Sequence, residues 1–394
     1  MEIVLATRNK DKIKEIKKLL DNVNVKILTF NDFPEFPIVE ETGSTLRENA
    51  LIKARAVVRK TGKISLADDS GLEVEALGGK PGVFSSRFAG EDASYDDNNR
   101  KLLSLLKGIP EEKRSATFKC VMALVSPKGK ELVVEGICRG RITTKPYGKE
   151  GFGYDPVFQP EGMDKTFAQL SQDEKNSISH RGVALRKLKE VLEEMTQAEG
   201  KFLIGLTGNM GCGKSTVASF LEKWGLKVIK ADEVGHEILK KEKVKREVIQ
   251  IFGGDILNPK GEIIRSKIRG KIINNPEKLE KLNEVLHPII KKEIWKLLTK
   301  DKTEIAVIEA ALIFEAGWDF FLNKTIVVYC SKEHQIQRIK KATGMSLKEI
   351  EVFLKAQLPQ EEKIKRADFV IQNDGDIKEL EKKAREIFNK ILIK

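Results

Sequence analysis

Cysteine is scarce in this chain. Only Cys120, Cys138, Cys212 and Cys330 stand among 394 residues, and no two form a C-x-x-C pair. That spacing excludes the usual zinc motifs and leaves free, mostly buried thiols in a reducing cytosol as the expectation. Aromatic residues make up 6% of the chain, and no dense Lys/Arg block is interleaved with them. A nucleic-acid platform is therefore not expected, although the formal net charge is +12. The basic run from Lys240 to Arg246 includes Glu242 and Val244 and reads as a solvated helix face. No apolar run reaches membrane-spanning length. The opening Met1-Glu2-Ile3-Val4-Leu5-Ala6 turns polar at once, unlike a signal peptide. Internal repeats and low-complexity tracts are also lacking. A soluble cytoplasmic protein is expected, with phosphorylated small molecules as partners and neither nucleic acid nor membrane.

What is present points to two domains, since 394 residues exceed one comfortable core. The break falls near Met195 to Lys201, a polar joint between a helical pattern (Leu185, Leu188, Leu192) and the fresh apolar strand Phe202-Leu203-Ile204-Gly205-Leu206. The expected domains are residues 1–196 and 201–394. The first mixes strands and helices, and Phe118–Val125 and Glu131–Ile137 read as a hairpin around Ser126-Pro127-Lys128-Gly129. A mixed α/β sheet is expected there. In the second, strands alternate regularly with helices, which predicts a parallel sheet. The Lys-rich insert from about Val234 to Thr299 is predicted to be mainly helical.

Gly208-Asn209-Met210-Gly211-Cys212-Gly213-Lys214-Ser215-Thr216 matches G-x-x-x-x-G-K-[ST]. Glycines let such a loop turn its N–H groups toward phosphate oxygens, the lysine adds a mobile charge, and the Ser215 hydroxyl can ligate Mg²⁺. Context supports the motif. A strand precedes it, and Val217, Phe220, Leu221 and Trp224 follow at helical spacing. Asn209 through Thr216 are thus candidate ATP contacts. Cys212 reads as a small space-filler. Asp232, one strand later, is a candidate base for an attacking hydroxyl or a helix N-cap.

The first half has no single generic motif, only three polar clusters. Thr7 to Lys12 lies between a strand and a helix carrying Ile13, Ile16 and Leu20; Asp68-Asp69-Ser70-Gly71 ends the strand Ile64–Ala67, with Glu41 upstream; Ser177 to Gly182 follows later. Backbone donors with Lys12 suit phosphate, and hard carboxylates suit Mg²⁺. Each cluster also reads as an ordinary cap, turn or solvated pair.

Taken together, these clusters resemble the inosine/xanthosine triphosphate pyrophosphatase family over residues 2–193. Further matches are Glu41-Thr42-Gly43, Glu48-Asn49-Ala50, Lys53-Ala54-Arg55, Gly151-Phe152-Gly153-Tyr154-Asp155-Pro156, Glu174-Lys175 and Ser179-His180-Arg181. The resemblance implies hydrolysis of ITP, dITP or XTP to a monophosphate and pyrophosphate. It makes Asp69 the catalytic base or water-positioning carboxylate, and Glu41 and Asp69 the Mg²⁺ ligands. Thr7, Asn9, Lys12 and Lys53 would hold the triphosphate. Ser70, Phe152, Gly153, Tyr154, Asp155, Lys175, His180 and Arg181 would meet the base or phosphates. A two-lobed fold and a homodimer through this half are implied as well.

Residues 202–394 resemble dephospho-CoA kinase through the loop 208–216, Ala231-Asp232, Phe252-Gly253, Gly261 to Arg265, Asn275-Pro276, Leu286-His287-Pro288, Leu312 to Glu315, Ala356-Gln357 and Ala367-Asp368. The resemblance implies a P-loop kinase fold with a helical CoA-binding insert and a lid. ATP would be the phosphate donor, with Mg²⁺ at Ser215 and Asp232 and Lys214 catalytic, and dephospho-CoA would lie near Arg265 and His287. His287 reads equally as a structural residue before Pro288. The sequence departs from the family at Lys230 (usually Asp), at Ala311 (usually Pro), and at Ala342 and Phe353, where the lid carries arginines. Lys340, Lys341 or Lys355 would be point-charge substitutes. The alternatives are a degenerate ATP-binding module or a kinase for another hydroxyl acceptor.

Overall fold

Ile3, Val4 and Leu5 are fully buried in strand β1 (Glu2–Leu5), which is paired on both sides. The computed structural model describes residues 1–392 apart from Pro34, Pro37, Pro276 and Asp301. The chain divides into two units, Met1–Thr196 and Gln197–Lys394.

In the first unit, β1 leads to helix α1 (Lys10–Leu20), β2 (Lys26–Leu28), α2 (Leu46–Thr61), β3 (Ile64–Val74) and the short β4 (Pro81–Gly82). Then come α3 (Tyr95–Leu105), β5 (Ser115–Val125), β6 (Glu131–Ile142), β7 (Phe158–Pro160), α4 (Gln172–Ile178) and α5 (His180–Gln197). The strands form one sheet in the order β2-β1-β3-β5-β6-β7, with β4 on β3. β1 runs parallel to β2 and β3, and the other pairs are antiparallel, so the sheet is mixed as expected. The expected hairpin is β5–β6, paired from Ser115↔Arg141 to Val125↔Glu131.

One element differs from the sequence reading. Asp68-Asp69-Ser70-Gly71 does not end a strand; β3 continues to Val74 and stays paired with β5, Asp68 opposite Met122 and Asp69 opposite Val121. The long neighbour strand supplies ladder partners throughout, and cations match both buried charges. Successive strand residues point to opposite faces, so the two aspartates serve different neighbours.

In the second unit, β8 (Phe202–Thr207) is followed by α6 (Lys214–Lys223), β9 (Lys227–Lys230), α7 (Ala231–Leu239), α8 (Glu242–Phe252), α9 (Arg265–Asn274) and α10 (Glu277–Lys300). β10 (Ile305–Glu309), β11 (Lys324–Tyr329), α11 (Lys332–Thr343), α12 (Leu347–Lys355), α13 (Gln360–Arg366), β12 (Phe369–Gln372) and α14 (Ile377–Leu392) complete it. The sheet order is β12-β11-β8-β10-β9, with every pair parallel. One face is covered by Val217, Phe220 and Leu221 of α6 with Leu380, Ala384 and Phe388 of α14. The helical insert α7–α10 packs Ile238, Phe252, Leu286 and Trp295 into a second cluster with Ile229 and Ile308. Burying each such side chain is worth about 1.5–3 kcal/mol, which fixes the sheet's strand ends in one place.

Helix α10 continues through Pro288 rather than ending a turn there. Proline removes one backbone donor, but Leu286 before it and Ile294, Trp295 and Leu298 after it are all buried, which holds both flanks helical. Pro276 of the Asn275-Pro276 match lies outside the described residues. Among the described residues no helix is long and apolar enough to cross a membrane.

Candidate active sites

In the first unit, a loop, three helices and β3 converge on a buried charge network. Asn9 caps α1, its side chain accepting from Asp11 N at 3.0 Å and Lys12 N at 3.1 Å, while Thr7 Oγ1 accepts from Asn9 N at 3.2 Å. The capping alternative for this cluster is thus realised, and the cap aims Lys12 at β3, where its ammonium pairs with Asp68. From α2, Lys53 donates to Glu41 Oε1 at 2.8 Å, to the Asp68 carbonyl at 2.8 Å and to Asp69 Oδ1 at 2.6 Å. The Glu41 loop is held by Asn49, which accepts from Gly43 N at 2.7 Å. From α5, Arg181 reaches Asp68 Oδ2 at 3.0 Å, Ser70 Oγ at 3.2 Å and Glu15 Oε2 at 2.6 Å.

The two adjacent aspartates have opposite character. Burial pushes the Asp68 carboxyl up, but Arg181 and Lys12 overcome it and hold it well below the usual range. Burial wins at Asp69, whose carboxyl lies above the usual range despite Lys53. Burial likewise opposes Glu41, yet Lys53 keeps it below its ordinary value. Asp69 is therefore the more basic carboxylate, the property a proton acceptor needs.

Next to this network lies a cavity of about 110 Å³ lined in part by Lys12, Ser70, Phe152, Tyr154, His180 and Arg181. Phe152 is half-buried, with Lys175 Nζ 4.8 Å and Arg181 Cζ 5.4 Å from its ring centre and the Tyr95 ring at 6.0 Å. Asp155 holds the loop, accepting from Phe152 N at 2.8 Å and from Lys175 Nζ at 2.6 Å. Its carboxylate comes so close to Gly151 (φ 77°) that a Cβ there would lie 2.1 Å away, so only glycine fits. Gly153 O accepts from Asn99, and Tyr154 OH donates to Ser85 O at 2.9 Å. His180 stacks on Phe118 at 4.5 Å. Burial, with Arg181 beside it, keeps His180 neutral, and its buried Nδ1 has no hydrogen-bond partner among the described residues.

Glu15 was not singled out by the sequence reading. It is 7% exposed on the buried face of α1 and joins Arg181 to Lys175, which it meets at 3.0 Å. A carboxylate beside Ile16 on an amphipathic face was the available signal.

In the second unit, the loop 208–216 lies between β8 and α6. Gly213 has φ 96°, and a Cβ on it would meet Asn373 Nδ2 at 2.2 Å. Asn373 Nδ2 donates to Cys212 O at 2.8 Å. Asn209 Nδ2 donates to Leu358 O at 3.1 Å, Met210 N to Gln357 Oε1 at 3.1 Å, and Gln335 Nε2 to Met210 O at 2.8 Å. Lys214 and Thr216 open α6, with Thr216 N donating to Gly213 O at 3.2 Å. Ser215 Oγ donates to Glu309 Oε1 at 3.4 Å. Glu309 ends β10, is 3% exposed, and its carboxyl is raised by burial against the pull of Lys214. It too was missed; a carboxylate closing an apolar strand beside the loop was its signal.

Asp232 lies in the first turn of α7, exposed; Lys230 is the N-cap, so the capping reading of Asp232 does not hold. Its charge still acts on Glu309 and His236. Arg265 opens α9 and acts on His236, and half-buried His287 in α10 is held below its usual value by burial, against the influence of Glu315. Ala342 is exposed, and Phe353 packs with Ile339, Met345 and Ile350. Lys340 and Lys341 on α11 and Lys355 on α12 are exposed. Nearer the loop are Arg338, which donates to Asn373 O at 2.9 Å, and Lys363, 0% exposed. Lys363 donates to Ala311 O at 2.7 Å and pairs with Glu315 at 2.8 Å.

Among the described residues no group of three or more His, Cys, Asp or Glu is arranged to hold a metal. Mg²⁺ characteristically uses one or two carboxylates together with substrate phosphates instead of an all-protein cage. Glu41 and Asp69, gathered on one ammonium, and Ser215 with Glu309 are oxygen donors of that kind.

Comparison with known proteins divides the chain at the same place. Residues 3–191 match the Ham1 family and residues 202–379 match dephospho-CoA kinase. A dITP/XTP pyrophosphatase of Desulforamulus reducens is 49% identical over 195 residues, 50% of this chain and 97% of the relative. That of Thermoanaerobacter pseudethanolicus is 51% identical over 192 residues, 49% of this chain and 96% of the relative. A solved HAM1 protein from Coxiella burnetii is 45% identical, covering 49% of this chain and 99% of its own, with TM-score 0.47. A dephospho-CoA kinase from Campylobacter jejuni is 29% identical, covering 49% of this chain and 98% of its own, with TM-score 0.35. With its charge network in one half and its glycine-rich loop in the other, the chain belongs to the Ham1 family through its first half, while residues 202–379 of its second half match the dephospho-CoA kinase family model.

Proposed function

We propose that the first half hydrolyses ITP, dITP and XTP to the monophosphate and pyrophosphate, and that the second half phosphorylates the 3′-hydroxyl of dephospho-CoA with ATP. The observation that carries the first reading is Lys53, one ammonium bridging Glu41 and Asp69, joined through the neighbouring Ser70 and the charge of Lys12 to a cavity that these two residues line together with the Phe152 ring. Phe152 stacks on the purine. The neutral His180, with its unpartnered Nδ1, meets the 6-oxo edge; a 6-amino group there would leave donors facing donors. Lys12 exchanges Asp68 for a phosphate oxygen, and Lys53 steadies the chain of phosphates. Asp69 takes the proton of the attacking water. Mg²⁺ held by Glu41 and Asp69 would neutralise phosphate oxygens as the bridging bond breaks.

In the second half, Lys214 and the loop N–H groups hold the β- and γ-phosphates, and Ser215 with Glu309 would hold the metal. Asp232 takes the proton of the acceptor hydroxyl, and Arg265 and His287 border the acceptor. The test is an activity screen of the full chain against ITP, XTP, dITP, ATP and dephospho-CoA. Pyrophosphate release should favour ITP, dITP and XTP over ATP, and CoA should form only with ATP and dephospho-CoA together. Nucleotide binding with no phosphoryl transfer would make the second half a degenerate module, the alternative raised by Ala342 and Phe353. Transfer to a nucleoside instead would change the acceptor. Pairing of two copies through the first half belongs to the same reading, and sedimentation of the full chain tests it.

A further inference from the structure

Cys212, inside the phosphate loop, and Cys330, just past β11, are 118 positions apart in sequence, yet their sulfurs lie 3.7 Å from each other. Both side chains are buried, and both cysteines are free. A single side chain, Gln360, frames the pair: its Oε1 accepts from Cys212 Sγ at 3.1 Å and Cys330 N at 3.3 Å, and its Nε2 donates to Cys330 O at 3.1 Å. Nothing in the phosphoryl-transfer chemistry uses either thiol.

We propose that Cys212 and Cys330 are an oxidative modification site, converted by a hydroperoxide to a disulfide that shuts the nucleotide loop. The step balances. Cys212 sulfur attacks the peroxide oxygen, its proton leaves with the alcohol or water, and a sulfenic acid forms. Cys330 sulfur then displaces the sulfenyl oxygen as water, carrying its own proton away. Two thiols and one hydroperoxide give a disulfide, water and an alcohol (water, for hydrogen peroxide).

Two further observations favour this pair over the other cysteines. Cys212 is drawn below its usual value by the hydrogen bond from Cys330 and by Lys214, against burial, which makes it the attacking thiol; Cys212 and burial push its partner Cys330 well up, burial and Asp68 push Cys120 well up, and burial pushes Cys138 up to about 11. The loop also has no slack. Cys212 O is held by Asn373, and a Cβ on Gly211 would meet Ile339 Cγ1 at 2.7 Å. A sulfur–sulfur bond is about 2.05 Å long, so closing the gap pulls the loop against these holds and away from its phosphate-binding shape.

The inference rests on reading 208–216 as the ATP site. The experiment separates the two. The full chain is treated with hydrogen peroxide, digested without reductant and mapped by mass spectrometry. The same sample is titrated calorimetrically with a non-hydrolysable ATP analogue. The expected results are a Cys212–Cys330 cross-linked peptide two hydrogens lighter, an affinity loss of about tenfold or more, and recovery with dithiothreitol. Pyrophosphate release from ITP should stay unchanged. Cys330→Ser should bind the analogue normally and show no dithiothreitol-reversible loss. A wild-type map with sulfinic Cys212 and no cross-link overturns the proposal, as does a cross-link that leaves affinity unchanged. Failure of the untreated chain to bind the analogue overturns the ATP reading itself, while the peptide map is still read independently.

Discussion

The proposed phosphate site of the first half is built from side chains gathered from separate elements, whereas that of the second half is built from consecutive backbone. In the first, Lys12, Lys53, Arg181 and Lys175 are each neutralised by a buried carboxylate. Desolvated charges are costly alone, so each cation of the network already has its partner, and the proposed phosphate binding would require partner exchange. In the second, glycine torsions and tight packing shape a loop whose donors are main-chain N–H groups. A site of the first kind is sensitive to single side chains at several positions, and one of the second kind chiefly to its glycines and its lysine.

Paired variants of the whole chain test that contrast, since each half is the control for the other. The largest effect is expected from Asp69→Asn, which removes the proposed proton acceptor. Pyrophosphate release should fall about 10³-fold with CoA formation unchanged, and loss of both in a folded protein would break the independence of the two sites. Lys214→Ala should do the reverse, lowering CoA formation on the order of 10²- to 10³-fold.

Asp68→Asn addresses stability more than chemistry. It strips a buried partner from Arg181 and Lys12, at a cost of about 3–5 kcal/mol, seen as an earlier calorimetric transition for the first half. The sign follows from its depressed carboxyl. The wild-type pairing is fully present above the ordinary aspartate value of about 3.9 and is lost as the pH falls toward the folded-state value. The variant should lack that acid limb, and an unchanged limb would show that Asp68 does not carry it. The smallest effect is expected from Glu309→Gln, which should raise the Mg²⁺ requirement of CoA formation about 10- to 100-fold and leave that of pyrophosphate release alone.

Legibility in the sequence followed the same division. The loop 208–216 and the strands around it are consecutive, so spacing and periodicity were enough to place them. The first-half clusters were readable only as separate fragments, each with a bland alternative, and a family resemblance joined them. Glu15 escaped notice because its partners are Lys175 and Arg181, 160 and 166 positions away. Glu309 escaped because its meaning depends on β10 lying beside β8. The extension of β3 through Asp68 and Asp69 required knowing that β5 would pair along its whole length and that cations would meet both charges.

The order of strands and helices, the two-part division and the phosphate loop were determined by the sequence itself, because each depends on residues close together in the chain. Tertiary structure alone decided which aspartate is basic, which carboxylates share a lysine, and that two distant thiols touch. Those properties arise from burial and from charges brought together by folding, and no local pattern encodes either.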